Sequence, residues 1–359
     1  MLESISLSEI RALGEEHPAQ FFRDVVEVLA DSFDPANVPV YNRLMSAWGL
    51  EPVAAANSVP ASVDVVYVLS RVTLGADIKI TSVILDAMTR RFPGARIVFV
   101  AGRKSAELFE AEHLEAQYPR TGPVSARIAW GRGLGERLRG PRRIVVDPDS
   151  RMTQLGLVPV CEPEHYFHFP SRSAGGPGDN LTDLTNQWLE RTFGVIGTAY
   201  VAPKPLDVDD ERPMVAVSLG VGDNESKRIA GDFEADLLRA LGANYQTIWV
   251  DRGAGGEEAR RVTAAVEASG IAGKVRLWEG SFASFVSIIA QSDFYVGYDS
   301  AGQHAAAAAG VPLISIFKGA VSEVFRNRWA PKGPGKLKVL NADNQAATGL
   351  LASFSDNCF

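Results

Sequence analysis

Residues 294–317 read FYVGYDSAGQHAAAAAGVPLISIF, and the fold follows from this stretch. A short apolar run, Phe294–Gly297, ends in Asp299-Ser300-Ala301-Gly302, passes into an alanine-rich segment carrying His304, stops at Gly310 and resumes as Val311–Phe317. Runs rich in β-branched and aromatic residues suit buried parallel strands, and alanine is the best helix former. The reading is strand, tight turn, helix, strand. Asp299 or Ser300 can cap the helix, Gly310 can end it, and Pro312 prevents it from continuing. Such a helix presents unpaired N–H groups and the positive end of its dipole at the carboxyl end of the first strand, which suits a phosphate group. The small Ser300-Ala301-Gly302 turn allows close approach of a ligand, with His304 one turn in. A plain βαβ unit with Asp299 as its N-cap accounts for the same pattern, so the rest of the chain has to decide.

Working outward, strands alternate with helices twice, which predicts an α/β fold of two doubly wound parallel sheets with ligands at the strands' carboxyl ends. Residues 1–58 read as an amphipathic helical extension, with Phe21, Phe22, Val25, Val26, Val28 and Leu29 near helical spacing. The first α/β domain spans 63–200. Its expected elements are the strand from Val63, the helix Ile78–Phe92, the strands Arg96–Val100, Ala126–Trp130 and Arg143–Val146, a strand around Tyr166–Phe169, and the helix Leu181–Phe193. Asp77 falls at the start of a helix after Leu74-Gly75-Ala76, where it reads either as an N-cap or as a carboxylate able to take a proton. A linker with Pro203, Pro205 and Pro213 leads to the second domain, 213–345, followed by a tail, 346–359. In that domain Lys227-Arg228 follows a loop with Gly220 and Gly222 and reads as a phosphate clamp or as a solvated basic pair. Gly253, Gly255 and Gly256 do not form a GxGxxG, which argues against a dinucleotide fingerprint.

The 359 residues are 46% hydrophobic and 22% charged, with a net charge of −7, an acidic balance that argues against nucleic acid as a partner. Cys161 and Cys358 stand too far apart for a disulfide framework or zinc site, implying a reducing, cytoplasmic setting. The first residues lack a basic and an apolar signal region, and no window reaches the ~20 apolar residues of a membrane span. Asp147-Pro148-Asp149 has the form of a DxD metal motif, although the central proline favours an ordinary turn and no metal is expected there. His165 and His168 fit no metal-ligand spacing. Arg132, Arg137, Arg139, Arg142 and Arg143 leave room for peripheral contact with the inner membrane surface, or form a solvated face.

Taken together, the LGAD turn, Ser218 followed by Lys227-Arg228, and D-S-A-G-Q-H-A-A-A-A-A-G-V-P resemble glycosyltransferase family nine, the ADP-heptose:lipopolysaccharide heptosyltransferases, over roughly 63–340. Family members carry a glycine where Ala301 stands, a glycine where Lys318 stands, and adjacent Gly-Asp where this chain has Gly75-Ala76-Asp77. The resemblance implies a GT-B fold, two Rossmann-like domains facing a cleft, with the acceptor on the first and a nucleotide-sugar donor on the second. It implies inverting, metal-free transfer of a sugar, heptose by default, from ADP-heptose as substrate to a glycan or glycolipid acceptor in lipopolysaccharide biosynthesis, with no cofactor. Asp77 would be the general base. Ser218, Lys227, Arg228, Asp299, Ser300, Ala301, Gly302, Gln303 and His304 would hold the donor, with Glu257 or Glu258 on the ribose. The departures from the family pattern also admit a degenerate member that binds a nucleotide or nucleotide sugar without turnover, or a nucleotide-sugar epimerase on the same fold.

Overall fold

A computed structural model describes residues 6–222, 224–253, 255–319 and 322–355. The chain forms two compact units: one comprises residues up to 106 with 111–198 and 323–329, the other 107–110, 199–322 and the residues from 330 onward. Each is built on a wholly parallel sheet.

The first sheet contains β1 (Val65–Leu69), β2 (Arg96–Ala101), β3 (Glu112–Glu115), β4 (Arg143–Asp147) and β5 (Tyr166–His168), in the order β3-β2-β1-β4-β5. Val66 sits between Ile97 and Ile144, and such continuously apolar strands are what two-sided burial demands. The expected strand Ala126–Trp130 is instead part of one helix, Val124–Leu138. Val124, Ile128, Gly131, Leu134, Gly135 and Leu138 are buried at helical spacing. Glycines at 131 and 135 let this helix lie against the backbone of Met152 and Val160, where a Cβ would come to 2.7 and 3.0 Å. Gly131, Gly133 and Gly135 weaken the helix signal in sequence while making the packing feasible.

The helix after β1 begins at Leu74, not Ile78, with Thr73 as its N-cap. Asp77 therefore lies one turn inside, in a wide turn covering Asp77–Thr81, and is not a cap. The helix Leu181–Phe193 appears as read, with Asn180 capping Thr182 N and Gly194 ending it in the left-handed region.

The N-terminal extension forms helices over Leu7–Glu16, 18–31 and Asn37–Ser46. It is an integral part of the first unit. Phe21, Phe22, Val26, Tyr41, Leu44 and Met45 form one core with Val124, Ile128, Leu157 and Val158. Glu15 accepts from Trp48 Nε1 (2.6 Å) and Ser125 Oγ (2.6 Å), and the Arg127 guanidinium stands 3.4 Å from the Phe22 ring centre.

The second sheet contains β6 (Met214–Ser218), β7 (Thr247–Asp251), β8 (Val275–Trp278), β9 (Phe294–Tyr298), β10 (Leu313–Phe317) and β11 (Leu337–Asn341), ordered β11-β10-β9-β6-β7-β8. β6, β9 and β10 are buried along their whole length. The strand-turn-helix-strand reading of 294–317 is observed, with the helix at Ala301–Ala308. Where a tail was expected, Ala347–Ser355 is a helix, and Leu350 and Phe354 join the core of this unit.

Leu44 is 1% exposed within the core that joins extension to sheet, so Leu44→Ala is expected to lower unfolding free energy by about 2–5 kcal/mol. Val38→Ala, at a residue 40% exposed on the same helix, is expected to stay within about 0.5 kcal/mol. Denaturant midpoints of the two variants test this; equal midpoints would show that the extension does not share the unit's core.

Candidate functional site

Strand order identifies where a ligand can enter each sheet. In the second sheet the chain runs β6, β7, β8 to one side, then returns to β9 on the other side of β6 and continues outward. The connections after β6 and β9 therefore leave in opposite directions, opening a crevice at their carboxyl ends. Ser218 closes β6 there, and Asp299, Ser300 and the start of the helix Ala301–Ala308 follow β9. Ser300 occupies the N-cap in extended conformation, but its side chain makes no capping bond. The first-turn N–H groups of Ala301, Gly302 and Gln303 face this point by helix geometry.

Lys227 is brought to the same place from the loop after β6. Its Nζ donates to Asp299 Oδ2 at 2.8 Å and to the Asp299 carbonyl at 3.4 Å. Gln303, fully buried, donates to the other Asp299 oxygen and accepts from Ser315 Oγ on β10. Its amide is thus spent on fixing the helix to the sheet. His304 is 5% exposed, and its Nε2 lies 3.5 Å from Gln303 Nε2.

Arg228 turns away from this cluster. Its Nε pairs with buried Glu234 at 3.2 Å and its Nη1 with Glu225 at 3.3 Å, while Arg261 holds Glu234 from the other side. The two glutamates left open by sequence are separated by the structure. Glu257 is an exposed partner of Arg260. Glu258 Oε1 accepts from Val221 N at 3.0 Å and Gly222 N at 3.4 Å, bringing its carboxylate to the loop after β6. Gly220 and Gly253 make room for it, since a Cβ at either would strike the Glu258 side chain.

The first sheet repeats the logic, with the reversal between β1 and β4. Asp77 is 0% exposed. Its carboxylate accepts from Ser70 Oγ (2.7 Å), Arg71 N (2.7 Å) and Thr81 Oγ1 (2.9 Å), with the Ser105 hydroxyl also beside it. Burial raises its pKa above the usual carboxylate value, against the lowering effect of those hydrogen bonds. Ser70 and Ser105 in turn line a cavity of ≈ 600 Å³ whose wall includes Arg103, Lys104, Gln117 and Arg120. Asp77 stands one hydrogen bond behind that wall.

Sequence reasoning missed a buried charge cluster on the other side of the crevice. Asp149, in the left-handed region, accepts from Arg172 N at 2.9 Å. Arg172 Nη1 (3.4 Å), His168 Nε2 (3.4 Å) and Arg71 Nη1 (3.8 Å) surround its carboxylate. Asp147 instead accepts from Ser150 N (2.6 Å) and Tyr166 OH (2.6 Å), so the two carboxylates of the Asp147-Pro148-Asp149 turn serve separate networks. No group of three metal-ligating side chains occurs among the described residues. The signal available in sequence was three arginines, Arg71, Arg151 and Arg172, each just beyond a strand or turn at the same sheet edge. Among the arginines read as a basic face, Arg139 pairs with Glu162, Arg142 with Asp64, and Arg137 donates to Glu115 O. No helix among the described residues is long and apolar enough to cross a membrane.

Residues 200–348 match the family model of glycosyltransferase family 9 (heptosyltransferase). No curated protein matches the chain. Solved structures similar to it include the glycosyl transferase family 9 protein of Veillonella parvula, at 14% identity and TM-score 0.60, covering 84% of this chain and 92% of that one. E. coli heptosyltransferase WaaC with ADP-2-deoxy-2-fluoro heptose follows at 14% and 0.59, covering 82% and 99%. E. coli ADP-heptose lps heptosyltransferase II gives 18% and 0.53, covering 80% and 96%. At these identities the likeness establishes the fold, a GT-B-like pair of parallel-sheet α/β domains.

The Asp149 cluster sets an expected pH dependence. Burial disfavours the Asp149 charge, but Arg172, His168 and Arg71 outweigh it and hold the carboxyl well below its usual range. The stability this contributes is present above about pH 4 and is lost as pH falls toward the folded value. Burial likewise disfavours charged His168, but Asp149 and Asp147 outweigh it and raise its pKa. That contribution is present below about pH 6.5 and is lost as pH rises through the raised value. Melting temperature against pH should therefore decline on both sides, and His168→Gln should remove the His168 part of the alkaline decline while also weakening the acid one, because His168 is among the groups that hold Asp149 down. An unchanged alkaline slope in the variant would remove His168 from the account.

Proposed function

We propose that this chain, whose residues 200–348 carry a glycosyltransferase family 9 (heptosyltransferase) domain, transfers a sugar from a nucleoside-diphosphate donor to a hydroxyl of a bacterial surface glycan or related acceptor. Heptose from ADP-heptose is the default donor, a reading supported by the ADP-heptose named for heptosyltransferase II. The observation that carries the reading is the crevice at β6 and β9. There a helix start without a side-chain cap lies next to the Lys227 ammonium, which Asp299 fixes at 2.8 Å. Backbone N–H groups and a cation together stabilise the negative charge that grows on a departing diphosphate, so the step needs no metal. His304, one turn in, adds a further polar group. Glu258, whose carboxylate reaches the loop after β6, is the candidate for the ribose contact.

On the acceptor side, the ≈ 600 Å³ cavity of the first sheet is large enough for sugar units. Ser70 lies on its wall and donates to Asp77. As the acceptor oxygen attacks the anomeric carbon from the face opposite the leaving diphosphate, its proton passes to Ser70 Oγ while the Ser70 proton passes to Asp77. The configuration inverts. A carboxylate with a raised pKa suits this role, because proton affinity nearer the working pH improves a general base.

One observation favours a second reading, binding without turnover: the Asp77 carboxylate is fully buried among its donors. Incubating the chain with ADP-heptose and other nucleotide sugars, with nucleoside diphosphate release as readout, separates the two. Uptake without release for every donor supports the binding protein.

Asp77→Asn is expected to lower kcat by about a hundredfold or more while ADP affinity stays within about twofold. The wild-type rate should rise with pH through the raised Asp77 value, with its acid midpoint above the ordinary value of about 4. An unchanged rate in the variant dismisses Asp77 as the base. Lys227→Ala is expected to weaken ADP binding by about 1.5–3 kcal/mol, read by calorimetry, and affinity within about twofold of wild type would end the clamp assignment.

A further inference from the structure

Tyr295 is the second residue of β9, between Ala216 of β6 and Leu313 of β10, and is fully buried. Residues two apart on a strand project to the same face, so Tyr295 and Gly297 share one. A Cβ at 297 would come within 2.4 Å of the Tyr295 hydroxyl. Only glycine there lets the ring lie along the strand and carry its hydroxyl toward the carboxyl end. At that end the hydroxyl stands where Gly302 lacks a side chain: a Cβ on Gly302 would lie 2.2 Å from Tyr295 OH and 2.9 Å from Ser218 Oγ. In a helix the Cα–Cβ bonds tilt toward the N-terminus. A group in the place of the Gly302 Cβ is therefore beside the free N–H groups of the first turn.

Neither hydroxyl makes a well-formed hydrogen bond. Tyr295 OH and Ser218 Oγ are buried and, among the described residues, neither has a partner in hydrogen-bond geometry, although the two lie close to each other and Tyr295 lies close to the Ser300 hydroxyl. A buried polar group left unsatisfied is costly, and two at one helix start call for a reason. From this placement we infer that Tyr295 is a binding residue for the donor's diphosphate, its hydroxyl and that of Ser218 donating to a phosphate oxygen seated on the first turn of the helix Ala301–Ala308. The inference rests on the diphosphate reading of this crevice given above. Burial raises the phenol pKa above its ordinary value of 10, with the neighbouring hydroxyls of Ser218 and Ser300 lowering it less, so Tyr295 stays a neutral donor at physiological pH. Its hydrogen bond reads phosphate and not base, which makes its contribution the same for any nucleoside diphosphate.

The test is calorimetric titration of the full chain and of Tyr295→Phe with ADP and with inorganic pyrophosphate, together with melting temperatures of both proteins without ligand. The expected result is affinity about tenfold or more weaker for ADP and weaker by a similar factor for pyrophosphate. The ligand-free melting temperature should be equal or higher, because the variant deletes a hydroxyl without a well-formed hydrogen bond and keeps the ring. Affinity for ADP within about twofold of wild type overturns the inference. So does a ligand-free melting temperature lowered by several degrees, which would make the hydroxyl a structural bond. If the wild-type chain takes up neither ADP nor pyrophosphate, the diphosphate reading itself fails and the inference goes with it, an outcome distinct from a variant that binds as well as wild type.

Discussion

The crevice between β6 and β9 depends on how one buried carboxylate is neutralised. Asp299, 8% exposed at the end of a central strand, carries a charge that burial penalises unless it is paired and hydrogen-bonded. Lys227 meets one oxygen and Gln303 the other. Through Lys227 the loop after β6 is tied to the end of β9, and through Gln303 and Ser315 the helix Ala301–Ala308 is tied to β10. Removing one partner of such a pair typically costs about 3–5 kcal/mol, far more than a surface ion pair. The cation is thereby fixed beside a helix start.

The first unit solves the opposite problem, an excess of buried cations. Arg71 and Arg172 converge on Asp149 where β1, β4 and β5 end, and buried Arg151 follows β4 in the same unit. Carboxylates of the N-terminal extension supply further charge, Glu27 to Arg151 and Asp31 to Arg172. This explains why a helical segment outside the sheet shares its core: it roofs charges that the sheet edge cannot neutralise alone. The ≈ 600 Å³ cavity and Asp77 lie toward β2 and β3 from this cluster, so one sheet edge carries a buried charge cluster in one half and an open cavity lined by hydroxyls and cations in the other.

Much of the architecture was legible in sequence because parallel strands and their helices leave strong local marks. The apolar runs at 214–218 and 294–298, the alanine helix, and the capped helix Leu181–Phe193 all read directly. The misreadings have physical causes. Glycines at 131, 133 and 135 blurred a helix whose close packing requires two of them, so its first half read as a strand. Asp77 looked like a cap because it is a capping residue type just ahead of the apolar run from Ile78, yet the helix starts at Leu74 after Thr73 and Asp77 opens a wide turn within it. The Asp149 cluster was easily overlooked because Arg71 lies far in sequence from Asp149, His168 and Arg172 and meets them only when the strands align. Glu257 and Glu258 were indistinguishable as neighbours, and only the helix phase turns one to solvent and the other to the loop after β6. Tyr295 read as one more apolar strand residue, since nothing local reveals that Gly297 lets its hydroxyl reach Gly302.

The central claim is that the crevice between β6 and β9 holds a diphosphate. A crystal structure of the chain with ADP tests it most directly. The account predicts the diphosphate on the first turn of Ala301–Ala308, within hydrogen-bond distance of Lys227 and of the backbone N–H groups of Ala301 and Gly302. A nucleotide bound elsewhere, or a crevice that stays closed to ADP at concentrations where the nucleotide binds, would contradict it.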